Sequence, residues 1–158
     1  MTALVHQASA VAIDGRAVLI EGPPGSGKSS LALALIERGA GLIGDDAVTL
    51  TAKAGRLIAS APPNIAGLME VRGVGLAALP LAPPAPVALI LTLGGPPAER
   101  LPEAPLPTRA IAGIAVPALA FDPGAIAPAE RALWALRLHG HVFDASSLCA
   151  RTAPHCTP

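Results

Sequence analysis

Apolar and polar positions alternate in short blocks along this chain, and the blocks change period several times. Ser9-Ala10-Val11-Ala12-Ile13 and Ala17-Val18-Leu19-Ile20 flank Asp14-Gly15-Arg16. Asp-Gly between two apolar runs predicts a β-hairpin, so the second run enters whatever follows as a strand antiparallel to the first. Ser30 to Arg38 is then rich in helix formers and stops at Gly39, which predicts one helix. Gly41-Leu42-Ile43-Gly44 reads as a further buried strand. Ala47 to Thr51 and Arg56 to Ser60, split by Lys53-Ala54-Gly55, predict another hairpin.

Pro62-Pro63-Asn64 breaks this pattern. The segment from Ile65 to Leu79 is dense in glycine, and Pro80 to Pro86 reads as a linker. Val87 to Leu93 is continuously apolar apart from Thr92, as expected of a central strand buried on both faces. Gly94 to Pro107 is proline-rich and predicts surface loop. Ala129, Ala132, Leu133 and Leu136 recur at helical spacing, with Gly140 placed to end that helix. Hairpins interleaved with helices predict an α/β fold with a mixed sheet, not a plain all-parallel one. No internal repeat is present.

Between the second strand and the first helix lies Gly-Pro-Pro-Gly-Ser-Gly-Lys-Ser, residues Gly22 to Ser29. This is a complete G-x-x-x-x-G-K-[ST] phosphate loop in the strand-loop-helix context that the motif requires. Its N–H groups and the positive end of the helix can cradle phosphates, Lys28 can reach the β and γ oxygens, and the Ser29 hydroxyl can ligate magnesium. The candidates for binding a nucleoside triphosphate are therefore Gly22, Gly25, Ser26, Gly27, Lys28, Ser29 and Ser30. The alternative, a glycine turn capping a helix beside an incidental lysine, leaves the agreement of every fixed position unexplained.

Composition narrows the function further. At 158 residues the chain reads as one domain able to bury its own core. Eleven basic residues balance eleven acidic ones, and the only large rings are Trp134, Phe121 and Phe143. Neither the charge nor a base-stacking surface points to nucleic acid. Val87 to Leu93 and Ala110 to Leu119 are too short to cross a membrane. The first residues lack the basic and apolar regions of a signal peptide, so a cytoplasmic location is expected. Cys149 and Cys156, in a polar tail that ends in proline, read as reduced thiols without a role.

Two further groups carry chemistry. Asp45-Asp46 ends the strand from Gly41, where it should lie beside the phosphate loop. Phosphoryl transfer to a hydroxyl uses one carboxylate near the metal and another that accepts the hydroxyl proton. Glu70 and Arg72 alternate with Met69, Val71 and Val74, which in an extended segment puts both charges on one face. There a cation can steady the phosphoryl group and a carboxylate can help hold magnesium. A solvated ion pair of little worth is the plainer alternative.

Val18 to Ser29, Leu42 to Val48 and Ile65 to Gly75, the last containing Glu70-Val71-Arg72-Gly73-Val74-Gly75, together resemble the catalytic domain of HPr kinase/phosphorylase, in the same order. The resemblance carries motifs over residues 6–80 and extends loosely to about residue 140. It implies a PEP-carboxykinase-like fold and an ATP- and magnesium-dependent serine kinase acting on HPr, the phosphocarrier of a phosphotransferase system. In many members the reverse phosphorolysis accompanies it. It also implies catalytic roles for Asp45 as general base, Lys28, Arg72 and His6, metal-side roles for Ser29, Asp46 and Glu70, and ring-like homo-oligomers. The glycine-rich segment after Arg72 is a candidate interface. The chain is similar to short proteobacterial versions without the family's N-terminal domain, with a catalytic domain over residues 1–145 and a flexible tail over 146–158. His6 stands one residue out of the family's register, and the second catalytic cation is left open among Arg100, Arg109, Arg131 and Arg137. His139 and His141, flanking Gly140, read as helix-end residues rather than catalytic ones. Two rival readings stay open: a kinase of the same fold for a small hydroxyl compound such as free serine, and a nucleotide sensor without catalysis.

Overall fold

A computed structural model describes residues 3–63 and 67–143; the expected tail at 146–158 and both cysteines lie outside them. The described residues form strands β1 (Ala3–His6), β2 (Ser9–Ile13) and β3 (Arg16–Glu21), helix α1 (Lys28–Glu37), and strands β4 (Gly41–Gly44), β5 (Val48–Lys53) and β6 (Arg56–Ser60). Next come β7 (Leu68–Val71), β8 (Gly75–Ala78), β9 (Ala85–Thr92), β10 (Thr108–Ile111), β11 (Ile114–Ala120) and helix α2 (Pro128–His139).

The main sheet runs β1-β5-β6-β9-β3-β2-β4. Val87 to Leu91 supply the buried centre as expected. β9 runs parallel to β3 on one side; on the other it pairs antiparallel with β6 at its start and parallel with β11 at its end. Adjacent β-strand residues face opposite ways, so Val18 and Ile20 join the core that includes Leu31 and Leu35 of α1, while Ala17 and Leu19 join the other layer. In β9 the alternation slips by one residue. The pairing jumps from Ala17↔Val87 to Val18↔Leu89, leaving Ala88 extra, so Val87 and Ile90 both reach the layer away from α1. Such a bulge re-aims the side chains beyond it. The Ala88 carbonyl accepts the His141 N–H at 3.0 Å, just after Gly140 ends α2. His141 Nε2 also meets the Ala115 carbonyl at 3.0 Å, so this histidine pins the helix end to the sheet, in keeping with a helix-end rather than a catalytic reading.

Several elements depart from expectation. Ala3–His6, where no element was expected, is a strand paired with β5. The stretch read as linker already enters β9 at Ala85, and Pro86 pairs with Ile58 where β9 meets β6. Ala110 to Leu119 holds a hairpin turning at Ala112 and Gly113, with φ of 50° and 80°. Two consecutive left-handed residues are what a tight hairpin turn needs, but Ala-Gly signals it less plainly than Asn-Gly. The glycine-rich segment forms a separate two-stranded sheet, β7-β8, outside the main sheet. Arg72 therefore lies in the turn between these strands, so the extended geometry expected to align it with Glu70 does not hold.

Candidate functional site

The phosphate loop leaves the sheet after Glu21 and closes tightly on itself. A Cβ at Gly22 would stand 2.5 Å from Ser26 Oγ and 2.7 Å from the Leu93 carbonyl oxygen, so no larger residue fits there. Gly25 and Gly27 have φ of 79° and 99°, and Gly27 is the N-cap of α1. Both lie in the left-handed region that glycine enters without steric cost. With no side chain among the described residues capping α1, its first N–H groups can serve a ligand, and the helix dipole favours an anion there. The Lys28 side chain is buried, and its ammonium donates to the Gly22 carbonyl at 2.7 Å and the Pro23 carbonyl at 3.2 Å. Ser26 Oγ is buried with no hydrogen-bond partner among the described residues.

Gly44 folds the chain sharply after β4: a Cβ there would stand 2.2 Å from the Ala47 carbonyl oxygen. That turn holds the acidic pair, with Asp46 in the left-handed region at φ 61°, which Asp tolerates better than most residues. The two carboxylates have different surroundings. Asp45 Oδ1 accepts the Ser29 hydroxyl at 2.7 Å and the Ser9 hydroxyl at 3.0 Å, while Oδ2 accepts no hydrogen bond among the described residues. Asp46 is exposed; its N–H donates to Ser9 Oγ at 3.5 Å. Ser9, fully buried in β2, thus ties both aspartates to the sheet. Its role was not legible in the sequence, where it is one polar residue at the start of an apolar strand.

One cavity of about 360 Å³ unites these groups. Gly25, Gly27, Lys28, Ser29 and Ser30 line it on the loop side, Asp45 and Asp46 at the turn, and Glu70 and Arg72 from the β7-β8 hairpin. The hairpin is anchored by buried Met69, which belongs to the same apolar cluster as Leu31 and Leu35. His6 does not line this cavity. Its Nε2 meets Glu21 Oε1 at 3.1 Å, and Arg109 of β10 grips both oxygens of that carboxylate. Burial pulls the Glu21 pKa upward, but the hydrogen bonds and charges of Arg109 and His6 outweigh it and hold the group below its ordinary value. Of the four open arginines, Arg109 is thus joined to the residue preceding the loop, while Arg131 is bonded to the carbonyls of Asp122 and Ile126. Arg137 stacks on Trp134.

The donor set fits a nucleoside triphosphate with magnesium. Open helix N–H groups and a buried ammonium suit phosphates, and a hydroxyl beside a carboxylate offers hard oxygen ligands. No cluster of three or more His, Cys, Asp or Glu suited to a metal exists among the described residues; magnesium in such sites is shared between one or two carboxylates, phosphates and water.

Fold and site together define a phosphate-loop domain on a mixed sheet of the PEP-carboxykinase type. A family model, the HPr serine kinase C-terminal domain, matches residues 2–80. The Hpr(Ser) kinase/phosphatase from Coxiella burnetii superposes with a TM-score of 0.72 at 33% identity, covering 85% of this chain and 91% of that one. HPr kinase/phosphorylase of Clostridium botulinum is 48% identical over 66 residues, and that of Bordetella pertussis 52% over 63. These matches take in 42% and 39% of this chain and only 22% and 20% of those relatives, about a fifth of their length. The chain belongs to the HPr serine kinase C-terminal domain family. Among the described residues no helix is long and apolar enough to cross a membrane.

Proposed function

We propose that this domain transfers the γ-phosphoryl group of ATP, with magnesium, to a serine of an HPr-like phosphocarrier protein, and runs the reverse phosphorolysis when inorganic phosphate is abundant. The observation that carries this reading is the single cavity in which the phosphate loop faces two aspartates and the Glu70 and Arg72 side chains. Bound magnesium would neutralise phosphate charge, with Ser29 as its protein ligand and Asp46 and Glu70 at its side. Lys28 supplies a point charge to the β and γ oxygens, and Arg72 steadies the phosphoryl group in flight. Asp45, one oxygen held by two hydroxyls and the other without a hydrogen bond among the described residues, accepts the proton of the attacking serine. In reverse it returns that proton to the serine while phosphate attacks phosphoserine, leaving pyrophosphate. His6 acts only through Glu21, beside the loop. The setting is the cytoplasm, the working form a homo-oligomer, and the consequence control of phosphotransferase-system signalling by the balance of ATP and phosphate.

The test is incubation with ATP, magnesium and the HPr-like proteins of the same organism. Mass spectrometry should show one phosphoryl group added to a serine and lost when phosphate is supplied. Unmodified HPr-like proteins beside rapid phosphorylation of free serine would establish the small-molecule kinase instead. ATP binding without transfer to either would establish the sensor.

A further inference from the structure

A second cavity, of about 280 Å³, opens on the phosphate loop. It shares Gly25, Gly27 and Ser30 with the first, and its other walls are Ser26, Leu31, Pro123, Gly124 and Pro128. The two cavities differ in chemistry. The first holds Lys28, two aspartates, Glu70 and Arg72; no side chain lining the second is ionic, and only the Ser26 and Ser30 hydroxyls are polar. We infer that this second cavity seats the base of the nucleotide whose phosphates the loop holds, so that Pro123 and Pro128 are nucleotide-binding residues.

The inference rests on the phosphate-loop reading and gives the nucleotide a direction. Its transferring end belongs with the carboxylates and cations, so its α-phosphate, ribose and base must leave the loop elsewhere. A planar base presents apolar faces, which proline rings and leucine cover well, with a few polar groups at the edge. The topology agrees. β3, β9 and β11 run parallel, so the phosphate loop and the loop after β11 leave the same edge of the sheet, where ligands of open α/β sheets bind.

The outer wall is also built in advance. Arg131 donates from Nε to the Ile126 carbonyl at 2.7 Å and from a terminal nitrogen to the Asp122 carbonyl at 2.6 Å, with its guanidinium 4.6 Å from the centre of the Phe121 ring. Asp122 Oδ1 accepts the Gly124 N–H at 2.9 Å. Pro128 opens α2, and Pro123 Cγ lies 3.2 Å from where a Cβ of Gly27 would stand. A wall braced at both ends loses little freedom when a ligand enters, which favours binding.

Titration calorimetry with magnesium ATP and with magnesium tripolyphosphate separates the base from the phosphates. The parent should bind ATP roughly tenfold or more tighter than tripolyphosphate, since the base adds buried apolar area. Gly124→Trp, which fills the cavity, should weaken ATP roughly tenfold and leave tripolyphosphate within about twofold. A Cβ at Gly124 meets only the end of the Asp122 side chain, at 3.3 Å. Pro123→Ala, the milder change, should weaken ATP about threefold by trimming the wall, again without touching tripolyphosphate. Equal affinities in the parent, unchanged ATP binding in both variants, or equal weakening of both ligands would overturn the base seat. A parent that bound neither ligand would overturn the phosphate-loop reading, and the seat with it.

Discussion

Asp45 and Asp46 are neighbours in sequence and sit in different electrostatic worlds. Asp45 is half-buried and holds Ser29 and Ser9; Asp46 is exposed on a left-handed residue. If Asp45 takes the proton, Asp45→Asn should keep ATP affinity within a few fold and cut transfer by roughly 10²–10⁴, because the shape survives and the base does not. Single-turnover transfer and calorimetry on Asp45→Asn and Asp46→Asn decide the matter; the pattern appearing only in Asp46→Asn would exchange the two roles. Glu21 makes a different prediction. Its pKa is lowered in the folded protein from an ordinary 4.5, so its stabilisation is complete above that value and fades as pH falls through the lower folded value. Arg109 is 43% exposed against 13% for Glu21, so solvent weakens the pair. Glu21→Gln should cost about 1 kcal/mol near neutral pH. Thermal melts from pH 7 to pH 3 should show the gap between parent and variant closing below 4.5; a constant gap would mean the charge of Glu21 is immaterial.

At the scale of elements, the β7-β8 hairpin matters most. It belongs to no larger sheet and is anchored by Met69, yet it brings Glu70 and Arg72 to the cavity wall. Arg72→Ala should lower turnover more than nucleotide affinity, and Glu70→Gln should raise the magnesium concentration needed for half-maximal rate. Magnesium titrations that coincide with the parent, at unchanged turnover, would make both residues ordinary surface charges. This hairpin also marks where sequence reasoning stopped short. The alternation of Glu70 and Arg72 suggested one extended face, but Gly73 at φ 79° belongs to a turn that begins at Arg72. Both residues line the cavity because the hairpin packs onto the core through Met69, a tertiary contact to which strand periodicity is blind.

Across the whole molecule, what the sequence revealed best was local. The hairpin at Asp14-Gly15, helix α1, strand β9 and the loop from Gly22 to Ser29 each rest on patterns within a dozen residues. The Ser9 link to the aspartates spans 36 residues, and the Arg109 grip on Glu21 spans 88. Two polar side chains so far apart leave no periodic trace, and Ala-Gly hid a hairpin that Asn-Gly would have announced.

The parallel pairing of β3 with β9 joins Ala17 to Val87 and Glu21 to Thr92, and it sets the order in which the domain can be completed. The strand that launches the phosphate loop is flanked on one side by nearby β2, but its other partner arrives some seventy residues later. Closing so long a loop carries an entropic cost before any contact rewards it. During synthesis, therefore, β3 has only one of its two neighbours in the sheet until β9 has emerged. A chain ending before β9 would carry every phosphate-loop residue and still lack the strand that holds the loop's base in place.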